Sequence, residues 1–170
     1  MKFGISLFGH HPLNVHPAEF ADPWLVRPDD PMFLHEHDVF LEITESVPLS
    51  HFDYCSTVLA EVRARGIRLA VDDLGAGYSN LKYIADLEPA IVKLDRELVT
   101  AVHEHKRLMR LVRALVRLCE DQGAEVVAEG IETEDEYVVA RDLGVHYAQG
   151  WFVARPANPP PPLLVDLMLL

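Results

Sequence analysis

Cysteine is scarce in this 170-residue chain: Cys55 and Cys119 are the only two, and neither belongs to a C-x-x-C or comparable ligand spacing. Nothing therefore points to a thiolate metal site, and a reduced, cytosolic compartment is the expectation. Basic residues are also few, 15 against 27 acidic ones, for a formal charge of −12. That balance repels nucleic-acid backbones and anionic membranes, so neither a nucleic-acid polymer nor a membrane is an expected partner. Any phosphate ligand then needs metal cations or a local basic group. Long apolar runs are missing too, since nothing approaches the roughly 20 residues of a membrane span. The opening MKFGISLFGHH is too brief for a secretory core and has no small-residue cleavage site.

Apolar side chains nevertheless make up 49% of the chain, enough for one ordinary core. From about residue 39 onward, short β-branched runs alternate with helix-period segments, the pattern of successive βα units and a parallel sheet. Strands are expected over Val39 to Ile43, Ile67 to Val71, Ala90 to Leu94, Ala124 to Ala128 and Val145 to Ala148, with a sixth around Leu13 to Val15. Phe52, Cys55, Val58, Leu59 and Val62 recur at helical spacing after a Ser50 cap and stop at Gly66. Leu108, Leu111, Val112, Leu115 and Cys119 repeat that stripe up to Gly123, and Thr133 with Glu136 forms a capping box for a helix closed by Gly144. Residues 17–38 read as irregular, with one short helix near Ala18 to Leu25. The chain divides into a partial barrel domain over 1–156 and a proline-rich tail over 157–170, which runs over the surface.

The polar residues fall in register with these strands. Asn14, Glu42, Asp72 with Asp73, Lys93, Glu129 and Gln149 each lie at or just beyond a strand's C-terminal end. In a β/α barrel those ends converge on one mouth, where active sites are built. Clustered carboxylates repel one another unless cations sit between them, and hard oxygen ligands suit magnesium, manganese or calcium. Two such ions can clamp a phosphodiester and lower the pKa of a water, with Lys93 facing the developing charge on phosphate oxygens. Each position also has a plainer reading. A lone acid at a strand end is often a helix cap, Asp72-Asp73 before Leu-Gly-Ala-Gly can be a glycine turn with an Asx cap, and Lys93 can simply pair with Asp95 or Asp72.

The blocks LNVHP at 13–17, LEITES at 41–46, VDDLGAGYSNL at 71–81, VKLDRELV at 92–99, VVAEGIET at 126–133 and YAQGWFVARP at 147–156 together resemble the EAL family of cyclic-di-GMP phosphodiesterases. The resemblance covers Asn14 to Pro156. It implies an α/β fold, an incomplete TIM-type β/α barrel with about six of eight strands. It also implies hydrolysis of cyclic-di-GMP to linear pGpG with magnesium or manganese at a two-metal site. By resemblance Asn14, Glu42 and Asp72 hold the first metal, Asp72 bridges, and Asp73 helps hold the second. Lys93 sits beside the attacking water, and Glu129 is general base or metal-site carboxylate. Glu132 and Gln149 support the site, Glu45 anchors the loop that begins at Asp72 and contains Gly75 and Gly77, and a homodimer forms through that loop.

The departures matter as well. Thirteen residues precede Asn14, so the resemblance implies an N-terminally truncated member without the Glu-Ala-Leu tripeptide, its metal carboxylate or the neighbouring arginine. That loss would weaken metal binding and depress turnover. Glu61 in LAEVRAR imitates the tripeptide but falls mid-helix on the outer ring. Lys2 to Phe8 can add a makeshift strand to the open edge. The histidine pairs around 10–11, 35–37 and 103–105 lack zincin spacing and read as solvated surface. Two rival functions remain: a non-catalytic cyclic-di-GMP-binding or protein-interaction module, and an unrelated barrel lyase using Lys93 as a Schiff-base amine.

Overall fold

Short β-branched runs become strands β1 (Lys2–Phe3), β2 (His11–Asn14), β3 (Val39–Thr44), β4 (Arg68–Leu74), β5 (Ile91–Leu94), β6 (Glu125–Ala128) and β7 (Tyr147–Ala148). All pair in parallel, in the order β1-β7-β6-β5-β4-β3-β2. These features come from a computed structural model, which describes residues 2–3, 11–15, 27, 39–44, 52–76 and 81–155. The six expected strands are present, and Lys2–Phe3 adds a seventh against Tyr147–Ala148. Among the described residues β1 and β2 are the two ends of the sheet, so the β/α barrel is incomplete.

Three expected helices form: α1 (Phe52–Ala64), α4 (Lys106–Asp121) and α5 (Glu134–Asp142). Two short ones, α2 (Lys82–Leu87) and α3 (Arg96–Val99), and a 3-10 turn over Val102–Glu104 were not anticipated. The Ser50 cap, the helix expected near Ala18 to Leu25 and the tail beyond Arg155 lie outside the described residues. In α4, Val112, Leu115, Val116 and Cys119 face the sheet, whereas Leu111, assigned to that stripe from sequence, is 48% exposed. At about 100° per residue Leu111 falls on the margin of the apolar arc, and Val116 takes its place.

The pleat decides which strand residues meet. Leu41, Ile43, Leu69, Val71, Val92, Leu94, Val126 and Ala128 point outward and pack with the helices as the main core. The alternate residues Phe40, Ala70, Ile91, Val127 and Tyr147 form a second apolar cluster on the inner face. Each full burial of such a side chain is worth about 1.5–3 kcal/mol before chain entropy is charged against it. Side chains repeat every second residue along a strand, so the next inner positions are Glu42, Asp72, Lys93, Glu129 and Gln149. The inner plug thus sets a floor directly beneath the polar mouth. At its other end the Arg68 guanidinium lies 4.4 Å from the Phe40 ring centroid, and the Tyr147 hydroxyl donates to Glu125 at 2.8 Å.

Candidate active site

Lys93 is the centre of the mouth. It is 8% exposed on β5, and its Nζ lies 2.8 Å from Glu129 Oε1, 2.9 Å from Asp72 Oδ1 and 3.4 Å from Glu42 Oε1. Three carboxylates from β3, β4 and the end of β6 therefore share one ammonium. Burial alone pushes Lys93 down, but Glu129 first and then Asp72 outweigh it, and its pKa stands above the ordinary lysine value. Burial lifts Glu42 and Glu129 more than Lys93 lowers them, with Asp72 and Asp73 adding to the rise.

Asp72 and Asp73 pose a geometric problem, because neighbours on a regular strand point to opposite faces. A register irregularity between Val71 and Leu74 resolves it: Asp73 takes φ 59°, a left-handed conformation rare outside glycine and enriched at functional sites. Leu74 then returns to the core at 1% exposure. The two aspartates thus lie within a β4 longer than expected, on a bulge and not on a loop. Asp72 Oδ1 also accepts the Asp73 N–H at 3.1 Å. Burial, then Asp72 and Asp95, raise the Asp73 carboxyl. Asp72, Asp73 and Glu129 each present an oxygen within 4.8 Å of the others.

The remaining expected residues divide. Asn14 is paired in register with Glu42 across β2 and β3 and is exposed. Gln149 and Glu132 are exposed and line a cavity of about 460 Å³ beside the carboxylates, shared with Asp73 and Glu129. Gly75, at φ 109°, sits so close to Leu98 that a Cβ would lie 2.5 Å from its Cδ1. Glu45 and Gly77 lie outside the described residues. Asp95, considered as a partner of Lys93, instead caps α3 by accepting the Glu97 N–H at 2.8 Å, so the cluster partner is Asp72. Glu61 is exposed on α1 and bonds Arg65 at 2.7 Å, away from the mouth.

The geometry has counterparts among known proteins. The EAL domain family model matches residues 6–156. This chain belongs to the EAL domain family. It is 37% identical over 119 residues to the cyclic di-GMP phosphodiesterase PA2567 of Pseudomonas aeruginosa, covering 70% of this chain and 20% of that protein. It is 32% identical over 147 residues to the cyclic di-GMP phosphodiesterase RocR of the same species, covering 84% and 38%. Among solved structures it resembles the manganese/cy-diGMP complex of Klebsiella pneumoniae BlrP1 at pH 9.0, with a TM-score of 0.75, 34% identity and coverage of 86% and 38%. It also resembles the EAL domain of Mycobacterium smegmatis DcpA, with a TM-score of 0.77, 31% identity and coverage of 85% and 67%. The chain thus spans well under half the length of these curated relatives.

Some lining of the EAL cavity escaped the sequence reading: Arg96, Gly130, Gly150, Trp151 and Ala154. Trp151 is 56% exposed with the Arg155 guanidinium 4.9 Å from its ring centroid. An exposed tryptophan two residues after a strand-end glutamine was the available signal. Gly150 had none, because its need is tertiary: a Cβ there would fall 2.2 Å from the Ile131 carbonyl oxygen.

Proposed function

We propose that this EAL domain hydrolyses one phosphodiester of cyclic-di-GMP to linear pGpG with magnesium or manganese. The observation that carries the reading is the convergence of Glu42, Asp72 and Glu129 on Lys93, with Asp73 turned onto the same mouth by the β4 bulge. The donor set fits a hard divalent cation. Four carboxylates stand against one ammonium, Asp72, Asp73 and Glu129 are close enough to share an ion, and oxygen-only ligation suits magnesium or manganese. Asp72, Asp73 and Glu42, with Asn14 at the neighbouring strand end, would hold such ions. When bound, they neutralise phosphate charge and make water more acidic.

The chain's own groups supply the rest. Glu129, raised by burial yet paired with Lys93, takes the proton of the attacking water. Water oxygen bonds to phosphorus as the bond to the ribose 3′ oxygen breaks, and the leaving oxygen acquires a proton. Lys93 faces the negative charge that develops on the phosphoryl oxygens. The cavity beside Glu129 and Gln149 receives the remainder of the nucleotide. A homodimer through the loop after Asp73 and residence in the cytoplasm belong to the same proposal. No helix among the described residues is long and apolar enough to cross a membrane.

A second reading, binding without hydrolysis or a protein-interaction role, is favoured by one feature: β1 and β2, Lys2–Phe3 and His11–Asn14, bring no carboxylate to the mouth. Cyclic-di-GMP is incubated with the chain and manganese, and pGpG is followed by chromatography. Product formation that Asp72→Ala reduces by about 100-fold supports hydrolysis, since losing an ion ligand costs at least that order. Equal rates for the two proteins reject it. Calorimetric binding without product moves the conclusion to the second reading.

A further inference from the structure

From Lys106 to Arg117, helix α4 turns a face of a single charge sign toward solvent, and Glu120 and Asp121 end the stripe in the last turn. Lys106, Arg107, Arg110, Arg113 and Arg117 are all exposed, and no acid occurs between Lys106 and Cys119. Spacings of three and four place these five cations on successive turns of one face. On the other helices Arg65 bonds Glu61 and Lys82 bonds Asp86, each four residues apart. Among the described residues, no ion pair joins any of the five α4 cations to a carboxylate.

The arrangement works against the helix that carries it. Lys106 with Arg110, Arg107 with Arg110, Arg110 with Arg113, and Arg113 with Arg117 are like charges at the spacings where opposite charges support a helix. Lys106 and Arg107 also stand in the first turn, where the helix dipole disfavours cations. No acid occupies that turn, and His105 supplies no side-chain cap. Beside the stripe run Leu111, 48% exposed, and exposed Ala114, which give it an apolar margin.

We propose that the outer face of α4 is a docking surface for a protein partner presenting an acidic amphipathic helix. Its carboxylates would pair with the arginine stripe, and its apolar edge would cover Leu111 and Ala114. Such pairing offsets the repulsion among Lys106, Arg107, Arg110, Arg113 and Arg117, and the guanidinium fork suits carboxylates bidentately. The chain's charge selects this occupant over a nucleic acid or a bilayer. Away from α4 the other ten basic residues face 25 acids, so an extended polyanion that runs beyond the stripe meets net repulsion. A helix of about four turns spans about 22 Å and touches α4 alone. The apolar margin matches the dry centre of protein interfaces and has no counterpart on a phosphate backbone.

The test uses the full chain and a labelled synthetic helix of about four turns, with glutamates on one face and leucines along its edge, followed by fluorescence anisotropy. Its glutamine counterpart serves as control. The acidic peptide is expected to bind roughly tenfold more tightly than the control and to weaken as salt rises. Binding should be lost in Arg110→Glu/Arg113→Glu/Arg117→Glu and weakened in Leu111→Asp. Reversal sets acids at 110, 113 and 117 against one another and against Glu120 and Asp121, so the triple Arg→Gln variant is the deciding one: it should keep its circular dichroism and still lose the preference for the acidic peptide. Equal binding of the two peptides, or binding of neither, overturns the proposal. So does tighter binding of a single-stranded oligonucleotide or phosphatidylglycerol vesicles at α4, or self-association of the chain that the triple variant abolishes. None of these readouts involves hydrolysis, so the proposal stands or falls apart from the enzymatic one.

Discussion

Lys93 shows how one side chain holds a charged mouth together. Glu42, Asp72 and Glu129 meet its ammonium from three elements, and Glu42 is itself 6% exposed. Replacing it with methionine leaves three carboxylates without a counter-ion. Breaking a buried pair costs about 3–5 kcal/mol, and the lower end is expected here because Asp72 and Glu129 are only partly buried. Urea unfolding of Lys93→Met in the presence of a chelator should show that loss, and manganese should recover part of it. Equal stability of the two proteins with chelator would refute the coupling. The identity of these residues was legible in the sequence because each stands at or just beyond the C-terminal end of an apolar run. How adjacent Asp72 and Asp73 reach one mouth was not, since the bulge at Asp73 is a backbone conformation that no periodicity reports.

At the scale of elements, the start of α5 ties two loops of the site together. The capping box read from Thr133 and Glu136 forms, and Glu136 does more than cap. Its carboxylate accepts the N–H of Ala101 at 2.8 Å, Glu132 at 3.0 Å and Thr133 at 3.1 Å, joining the segment after α3 to the loop after Glu129. Burial raises this carboxyl, but the bonds from Ala101, Glu132 and Thr133 outweigh it and hold its pKa below the ordinary 4.5. A lowered acid contributes stability fully above its unfolded pKa and loses it as pH falls through the lowered folded value. Glu136→Ala should therefore cost about 2 kcal/mol at neutral pH, for a lost cap and unsatisfied N–H groups, and progressively less in acid. Thermal melts across pH measure this, and a cost that grew in acid would contradict it. The bond to Ala101 spans 35 residues, so sequence showed the cap and missed the tie. Sequence missed α2 and α3 for a related reason: at six and four residues they are too short to display a period.

For the whole molecule, ions that bind the folded mouth and not the open chain must stabilise the fold. At 100 times its dissociation constant, manganese should add about 2.7 kcal/mol. For a domain of this size that raises Tm by roughly 5–10 °C, at about 2–4 °C per kcal/mol. Calorimetry with manganese and then with chelator checks the shift, and Asp72→Ala should lose most of it; an unchanged Tm would exclude tight ion binding. The alternation of strand and helix signals, the charge balance and the polar strand ends were set by sequence alone, because periodicity of two and a terminal acid are local properties. Tertiary structure decided that Glu42, Asp72, Lys93 and Glu129 become one cluster. Only the pairing of β3, β4, β5 and β6 brings every second residue of separate strands above a shared apolar floor.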